Sequence, residues 1–526
     1  MGVVMTTATR SSSSEKLTLA AMICVVAMTQ IDMTIVSIAA PDIQHELSLS
    51  STGVQWMVTG YLVALAAFFA LGGRLADVVG RRTMVVSGTL VFIVASILCG
   101  ATPTGDIAET WLVGFRILQG VGAAFMFPAA LSIVVRSFPI ERRGRAIAIF
   151  FAVAGALTAI GPFAGAHLVQ WNWRAIFWVN VPVAAVGLIL MSIAKVPNDR
   201  VKESIDWVGA ALIAAGMGLS VVGFQQASSW GWESLPTLGC IIGGLILIGL
   251  FVEFERHQTT PLIRLSFFSN RVFAAQNAIL LLASCAFVPV FFFASMYAQI
   301  ALGWSTANAG MYLLIFFAGF APGVQFGGRM LDKGRARPAV IWGSLLSAAG
   351  FFAWASRLTT LSENQQWPWI VLAGLGLGML IGSANTDAIN QVPSDNFGEA
   401  TGVTQTARNY GASVGLAILG TILSTSLHSR ILNSLSGMGI DASTADQVAS
   451  AMHGSGGGNA SSAFSQFGAN AGNVFHAIQL DYAEACQIVF RGLGLFMAAA
   501  AVVAIFALPR HSGKFDSTEA PADSSV

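Results

Sequence analysis

Apolar runs of membrane-spanning length recur along the whole of this 526-residue chain. Each is close to the roughly 20 residues that an α-helix needs to cross a bilayer. The chain is 55% hydrophobic and only 10% charged, far more apolar than a soluble domain. We therefore predict an all-α membrane protein with 14 transmembrane helices, at residues 17–40, 53–73, 83–101, 110–134, 144–168, 174–194, 207–226, 236–254, 272–300, 307–329, 338–356, 367–391, 399–425 and 483–508.

Lysines and arginines gather in every second connection between these runs. Short loops rich in Lys and Arg are retained on the cytoplasmic side of a membrane. With a cytoplasmic N-terminus, most of the basic residues near the runs fall on that side, and the opposite side holds little more than Arg174, Arg357 and Arg430. We predict an integral plasma (cytoplasmic) membrane protein with both termini cytoplasmic.

One short connection, residues 72–82, combines glycines, arginines and a carboxylate in the sequence Gly-Gly-Arg-Leu-Ala-Asp-Val-Val-Gly-Arg-Arg. Asp77 can accept hydrogen bonds from exposed backbone N–H groups and from the arginines, while Gly73 and Gly80 allow helices to approach and the chain to reverse. The alternative is that the arginines serve only as a positive-inside anchor.

The same turn recurs in the second half of the chain. Residues 72–77 reappear as Gly-Gly-Arg-Met-Leu-Asp at 327–332, and the Pro-x4-Gly pattern at 139–144 reappears at 393–398. In both cases almost the same number of residues separates the first copy from the second, which predicts two related halves.

Two charged residues lie inside apolar runs near the predicted outer side. Asp32 lies in the first run, about two helical turns below its outer end, and Arg116 lies at a similar depth in the fourth run. An isolated ionised side chain there costs several kcal/mol, so each must face the bundle interior and be paired, neutralised or hydrated. Asp32 is the nearest candidate partner for Arg116, whose planar fork can hold a carboxylate through two bonds. The alternatives are that a hydroxyl satisfies Asp32 and that Arg116 snorkels to the outer surface.

The fifth run combines small residues with a proline, at Gly161, Pro162 and Gly165. Proline inside a spanning helix removes one backbone hydrogen bond and creates a kink, and flanking glycines permit close packing. Without a family context, such residues are usually packing features. Trp171 and Trp173, just beyond this run, predict an interfacial belt.

Asp387 and Arg408 form a second candidate network. Asp387 lies in the twelfth run, close to its predicted cytoplasmic end, and Arg408 in the thirteenth run could neutralise it. The alternative is that Asp387 is only interfacial.

Several of these motifs resemble signatures of the major facilitator superfamily. The turn at 72–82, the Arg-x-x-Gln-Gly-x-Gly string that begins at Arg116 and the Gly-Pro-x-x-Gly string that begins at Gly161 each resemble one of its motifs. The run around Asp32 resembles the motif of its drug:proton antiporter branch with 14 spanners. Three positions depart from these signatures, namely Ser37, Ala40 and Ala166.

The resemblance implies a role for each motif and an architecture for the chain. The implied roles are proton coupling at Asp32 and Arg116, a conformational latch at Asp77, Gly73, Gly80, Arg81 and Arg82, and an antiporter motif at Gly161, Pro162 and Gly165. The implied fold is the major facilitator fold, with two six-helix bundles and an inserted central helix pair. The domains would be an N-terminal tail at 1–16, a first bundle at 17–200, the inserted pair at 201–265, a second bundle at 266–508 with a long extracytoplasmic loop at 426–481, and a C-terminal tail at 509–526.

The function that the resemblance implies is proton-coupled multidrug efflux, in which amphipathic small molecules are exported by alternating access. One alternative is a dedicated exporter of one endogenous lipid, siderophore or antibiotic. Another is a non-transporting membrane protein, either a sensor or an intramembrane enzyme. HExxH and Walker strings are lacking, which argues against a metalloprotease or an ATP-driven pump.

The expected partners are protons, small-molecule substrates and membrane lipid, with no nucleic acid. The scattered cysteines offer no zinc spacing, so we expect neither a metal nor a cofactor, with the proton gradient as the driving force. A monomer is expected, and the need for an accessory export protein is left open.

Overall fold

The computed structural model describes residues 12–510 except 199, 201–204, 259–260, 394–395, 442, 447 and 449–470. These residues form helices and connecting turns, with no strand among them. The helices are α1 (Ser12–Leu47), α2 (Ser51–Val79), α3 (Arg81–Gly100), α4 (Ala108–Ser137), α5 (Ile140–Trp171), α6 (Ala175–Trp178), α7 (Asn180–Ile193), α8 (Trp207–Trp230), α9 (Leu235–Glu255), α10 (Ser266–Ser269), α11 (Arg271–Ile300), α12 (Thr306–Asp332), α13 (Ala336–Ala355), α14 (Glu363–Asn390), α15 (Phe397–Gly437) and α16 (Ala471–Ala507).

The prediction of an all-α membrane protein is confirmed. Within the described ranges, 13 segments are long and apolar enough to cross a membrane, and each overlaps a predicted run. The remaining predicted run, 144–168, lies within α5, whose 32 residues exceed the roughly 20 that a span needs. The short α6 and the following α7 together supply one span, Ala175–Ile193.

The sequence repeat builds the same helix contact twice. Gly72 brings α2 against α4, and a Cβ on Gly72 would lie 3.1 Å from the Cα of Phe125. Gly327 brings α12 against α14 in the same way, with a Cβ position 3.0 Å from the Cα of Met379. Backbones approach this closely only where a side chain is missing.

Buried apolar side chains form a large core in each half of the chain. One extends over α11 to α16, and another joins α1 to α5 with parts of α7 to α9 and the first turns of α15. The helices of the inserted pair, α8 and α9, pack on each other, and α8 also contacts α2 and α15. The proposed domain boundaries remain a prediction.

The predicted loop at 426–481 is shorter than expected, because α15 and α16 extend into it from both sides. Leu435 of α15 and Ile478 of α16 are both buried, and Ser434 donates a hydrogen bond to Asp481 at 2.9 Å. These contacts hold the two helices together beyond the apolar runs. Hydropathy alone therefore ended α15 too early and began α16 too late.

Trp173 is not the interfacial residue that the sequence predicted. Trp171 is 82% exposed, but Trp173 is only 3% exposed and its Nε1 donates to Glu46 at 2.8 Å. Arg174 also forms an ion pair with Glu46, and the hydrogen bond that Arg174 donates in this pair lowers the pKa of the Glu46 carboxyl. The start of α6 is thereby held to the end of α1.

Candidate functional site

Asp32 of α1 and Arg116 of α4 form a buried ion pair. Arg116 Nη1 donates to Asp32 Oδ2 at 2.5 Å, and the two residues are 1% and 0% exposed, respectively. The predicted partnership is present in the structure. Arg116 does not snorkel to the outer surface, because its guanidinium is enclosed between helices.

The guanidinium contacts Asp32 through one nitrogen, and not through the two bonds that an arginine fork can form. Arg116 Nε instead donates to the carbonyl of Met57 at 2.9 Å, and Nη1 also donates to Gln119 Oε1 at 2.7 Å. The second oxygen of Asp32 accepts from Gln119 Nε2 at 2.9 Å. Gln119 therefore joins both members of the pair, which leaves Arg116 with acceptors other than Asp32.

Two further polar residues of this network were missed by the sequence reasoning. Ser96 of α3 accepts from Gln119 Nε2 at 3.3 Å and from Asn180 Nδ2 at 3.0 Å, and Asn180 also lies 3.5 Å from Asp32 Oδ1. Both are small polar residues on other helices, so spacing along the chain could not relate them to Asp32. Gln119 could have been found, because it lies three residues after Arg116 on the same helix face.

A central cavity lies beside this network and is lined by both halves of the chain. Its empty space is about 850 Å³, the open solvent at its mouth included. Tyr61 belongs to both features, since its ring lines the cavity and its centroid lies 4.7 Å from Arg116 Cζ. The described lining residues are Thr29, Gln30, Met33, Tyr61, Leu65, Phe69, Ala123, Phe127, Phe151, Ala154, Ser284, Phe287, Val288, Phe291, Phe320, Ile381, Gln405, Arg408, Asn409 and Ala412.

Asp77 joins the two halves at the α2–α3 turn, which the sequence predicts to be cytoplasmic. Its carboxylate accepts from the backbone N–H groups of Gly398 at 3.2 Å and Glu399 at 2.7 Å, at the start of α15. It also forms a buried ion pair with Arg81. A carboxylate at a helix N-terminus is stabilised by the unpaired N–H groups and by the helix dipole.

Other residues at this end reinforce the contact or reverse the chain. Arg74 lies 3.6 Å from Glu399, and both side chains are 1% exposed. Gly80 has a φ of 115° between α2 and α3, a conformation that favours glycine. Arg82 is half-buried and has no ion-pair partner among the described residues, so its implied place in the charge network is not seen here.

Gly73 sets the distance between α2 and α15. A Cβ at this position would lie 2.8 Å from the Cα of Gly402 and 3.1 Å from its nitrogen. A distance of 2.8 Å to a backbone carbon is shorter than real Cβ atoms show, so any side chain must separate the two helices. Glycine is therefore required for this close approach of the two halves.

We expect Gly73→Val to disfavour the closed contact by about 1–3 kcal/mol and to slow transport about tenfold. The measurement is maleimide labelling of Ala400→Cys, a position that is now fully buried, in a variant lacking the five native cysteines. Gly114→Val is the matched control, because nothing lies within 4 Å of that Cβ position. Equal labelling of the two valine variants would contradict the role given to Gly73.

The proline–glycine motif lies on α5, which continues through Pro162 to residue 171. Gly161 and Gly165 are buried, and a Cβ on Gly165 would lie 2.7 Å from Ile35 Cγ1. The motif therefore lies where α5 packs against α1, within one turn of Asp32 along α1.

Asp387 and Arg408 do not form the predicted pair. Asp387 is 5% exposed, so it is not interfacial, and it accepts from Gln276 at 2.6 Å and Gln391 at 3.5 Å. Arg408 donates to Gln405 at 2.9 Å. The side-chain amides, and not Arg408, therefore satisfy the carboxylate of Asp387. Arg408 is directed into the central cavity.

Comparison with known proteins decides the family. A family model described as Major Facilitator Superfamily matches residues 22–416. The chain belongs to this superfamily. Membership agrees with the repeated halves and with the helix content described above.

Two superfamily relatives are resistance proteins of bacteria. The chain is 33% identical over 412 residues to the tetracenomycin C resistance and export protein of Streptomyces glaucescens, covering 78% of this chain and 76% of that protein. It is 30% identical over 402 residues to the multidrug resistance protein Stp of Mycobacterium tuberculosis, covering 75% of this chain and 73% of that protein. The chain is therefore a membrane transporter and not an enzyme, and the alternative of a non-transporting protein is wrong.

Solved superfamily structures share the fold. A bacterial homologue of the human lysosomal transporter Spinster matches with a TM-score of 0.59 at 17% identity, over 94% of this chain and 98% of that chain. The proton:xylose symporter XylE matches with a TM-score of 0.57 at 14% identity, over 87% and 96% of the two chains. At these identities the likeness concerns the fold alone.

Proposed function

We propose that this transporter exports amphipathic, drug-like molecules in exchange for protons. The observation that carries the proposal is the buried Asp32–Arg116 pair behind the wall of a cavity shared by both halves. A buried carboxylate in a membrane protein is costly and marks a proton or ion pathway. The relatives named for resistance and export support the direction of transport.

Asp32 is the proposed proton carrier. Protonation removes its negative charge and with it the Coulomb attraction that holds Arg116. Arg116 can remain buried, because Gln119, the carbonyl of Met57 and the ring of Tyr61 still face its guanidinium. The pair can therefore exist in two states without leaving a charge wholly unsatisfied.

Tyr61 and α1 connect this change to the substrate. Tyr61 lines the cavity and its hydroxyl donates to the carbonyl of Thr29 at 3.3 Å. Thr29, Gln30 and Met33 flank Asp32 on α1 and also line the cavity. Movement of Arg116 would shift the cavity wall, so that proton and substrate favour different states.

Alternating access needs a contact that closes one end of the cavity and can open again, and the latch residues supply this contact. Asp77, Arg81 and Gly73 hold α2 against the start of α15 in the state described here. We propose that this end faces the cytoplasm, with both termini on that side, and that it opens when substrate loads. The transporter is proposed to act as a monomer in the plasma membrane, without a cofactor.

A dedicated exporter of one compound is the second candidate. It is favoured by the relative whose name gives one compound, tetracenomycin C. The two candidate functions differ in the number of compounds that the protein transports and not in the transport mechanism.

A susceptibility screen followed by a transport assay tests the proposal. A host that lacks its own exporters would carry the gene, an empty vector or an Asp32→Asn variant, and would be exposed to a panel of amphipathic compounds. We expect resistance to several compounds with the intact gene alone, and protonophore-sensitive uptake of those compounds by everted vesicles. Resistance to one compound favours the dedicated exporter. Uptake that survives a protonophore would contradict proton coupling.

A further inference from the structure

Arg408 lines the central cavity and is the only residue charged at neutral pH among the described lining residues. Its Nη1 donates to Gln405 Oε1 at 2.9 Å, and its Cζ lies 5.2 Å from the ring centroid of Phe151. Its Nε is buried and has no hydrogen-bond acceptor within the described part of the chain. The described residues therefore leave part of the hydrogen-bonding capacity of this guanidinium unfilled.

Other arginines inside the bundle differ from Arg408 because a carboxylate lies close to each of them. Arg74, Arg81 and Arg116 each lie within 4 Å of a carboxylate. Arg408 forms no ion pair with any of the described residues, and Asp387 is already held by amides. Keeping a cation in an apolar environment without a counter-ion is costly, so such a residue calls for an anion that the chain itself does not provide.

The remaining walls are rich in aromatic rings. Phe287 and Phe320 stack with ring centroids 5.2 Å apart and planes 29° apart. Phe291, also in the wall, stacks on Phe317 with planes only 4° apart. Phe69, Phe127 and Phe151 line the cavity from the first half of the chain. Flat aromatic molecules can pack against such rings with offset-stacked or edge-to-face geometry.

We propose that the cavity preferentially binds planar aromatic molecules that carry an acidic group. Arg408 donates to the anion, and the phenylalanines hold the rings. Cationic compounds are disfavoured, because Arg408 repels them and the described lining residues offer no carboxylate. Asp32 does not supply such a carboxylate, because it is bound to Arg116 and Gln119 and is not one of the lining residues. The inference rests on the proposed export function, whose substrate class it narrows.

The test compares two dyes that share a three-ring frame and differ in charge, anionic fluorescein and cationic rhodamine 123. Binding to the purified full-length protein in lipid nanodiscs would be followed by fluorescence polarisation at neutral pH. We expect the native protein to bind fluorescein at least about tenfold more tightly than rhodamine 123. Arg408→Gln should weaken fluorescein binding about 10- to 100-fold, the range for a hydrogen bond to a charged group. Arg408→Lys should retain part of that affinity, because it keeps the charge but loses the planar fork.

Arg256→Gln is the matched control, because Arg256 is an exposed arginine at the end of α9 and should leave both affinities unchanged. Equal or tighter binding of rhodamine 123 by the native protein overturns the inference, as does absence of fluorescein binding. Unchanged fluorescein affinity in a folded Arg408→Gln variant, judged by its thermal transition, also overturns it. If Arg408→Gln does not fold, the dye preference of the native protein and the result with Arg408→Lys decide whether the inference holds. Selective dye binding without gradient-driven transport would instead contradict the proposed export function.

Discussion

Replacing Asp32 by asparagine is expected to reduce proton-driven efflux to the level of liposomes without protein. The amide cannot take up a proton in the relevant pH range, so a pH gradient no longer biases the two states of the Asp32–Arg116 pair. Exchange of substrate down its own gradient should survive, because the cavity lining is intact. The measurement is efflux from proteoliposomes with and without an imposed pH gradient. Asp42→Asn, an exposed carboxylate on the same helix, is the matched control.

A second variant separates coupling from stability. Asp32→Asn leaves Arg116 buried without its counter-ion, which costs about 3–5 kcal/mol. Removing both charges, in Asp32→Asn with Arg116→Gln, should recover much of the thermal stability but none of the coupling. The stability losses should therefore be far from additive. Recovery of gradient-driven efflux in the double variant would show that Asp32 acts only through folding.

Asp77→Asn is expected to shift the conformational equilibrium by at least about 100-fold and to slow transport, while substrate affinity changes little. The carboxylate forms a buried ion pair with Arg81 and caps the start of α15, and breaking a buried pair costs about 3–5 kcal/mol. Maleimide labelling of Ala400→Cys should rise, because the contact between the halves opens. Equilibrium binding would be measured on the same sample.

Asp332→Asn is the control for Asp77. Asp332 occupies the equivalent position of the sequence repeat but is exposed, so its loss should shift labelling far less. Loss of substrate affinity in Asp77→Asn with unchanged labelling would contradict the latch assignment.

The sequence could predict the spans and the central charge pair because both follow from the cost of burial in a membrane. Run lengths near 20 residues predict helices without tertiary information. Asp32 and Arg116 stand alone in apolar runs at similar depth, and each needs an opposite charge. The repeat at 72–77 and 327–332 similarly predicted two halves from the residues alone.

The sequence could not predict contacts between helices that are distant along the chain. The partners of Asp77 at the start of α15 are backbone N–H groups, and every residue carries one, so no residue type reveals them. Ser96 and Asn180 are ordinary small polar residues until folding brings them to Gln119 and Asp32. Arg408 was paired with Asp387 on the assumption that opposite charges in neighbouring runs meet, whereas packing directs it into the cavity.

Substrate-driven proton movement tests the central claim most directly. Proteoliposomes containing a luminal pH-sensitive dye, with valinomycin and potassium to dissipate charge, would receive an external compound identified in the screen. Entry of substrate should expel protons, so the lumen should become alkaline with the native protein. It should not do so with Asp32→Asn or with empty liposomes. An equal alkaline shift with the native protein and with Asp32→Asn would contradict the assignment of Asp32 as the proton carrier.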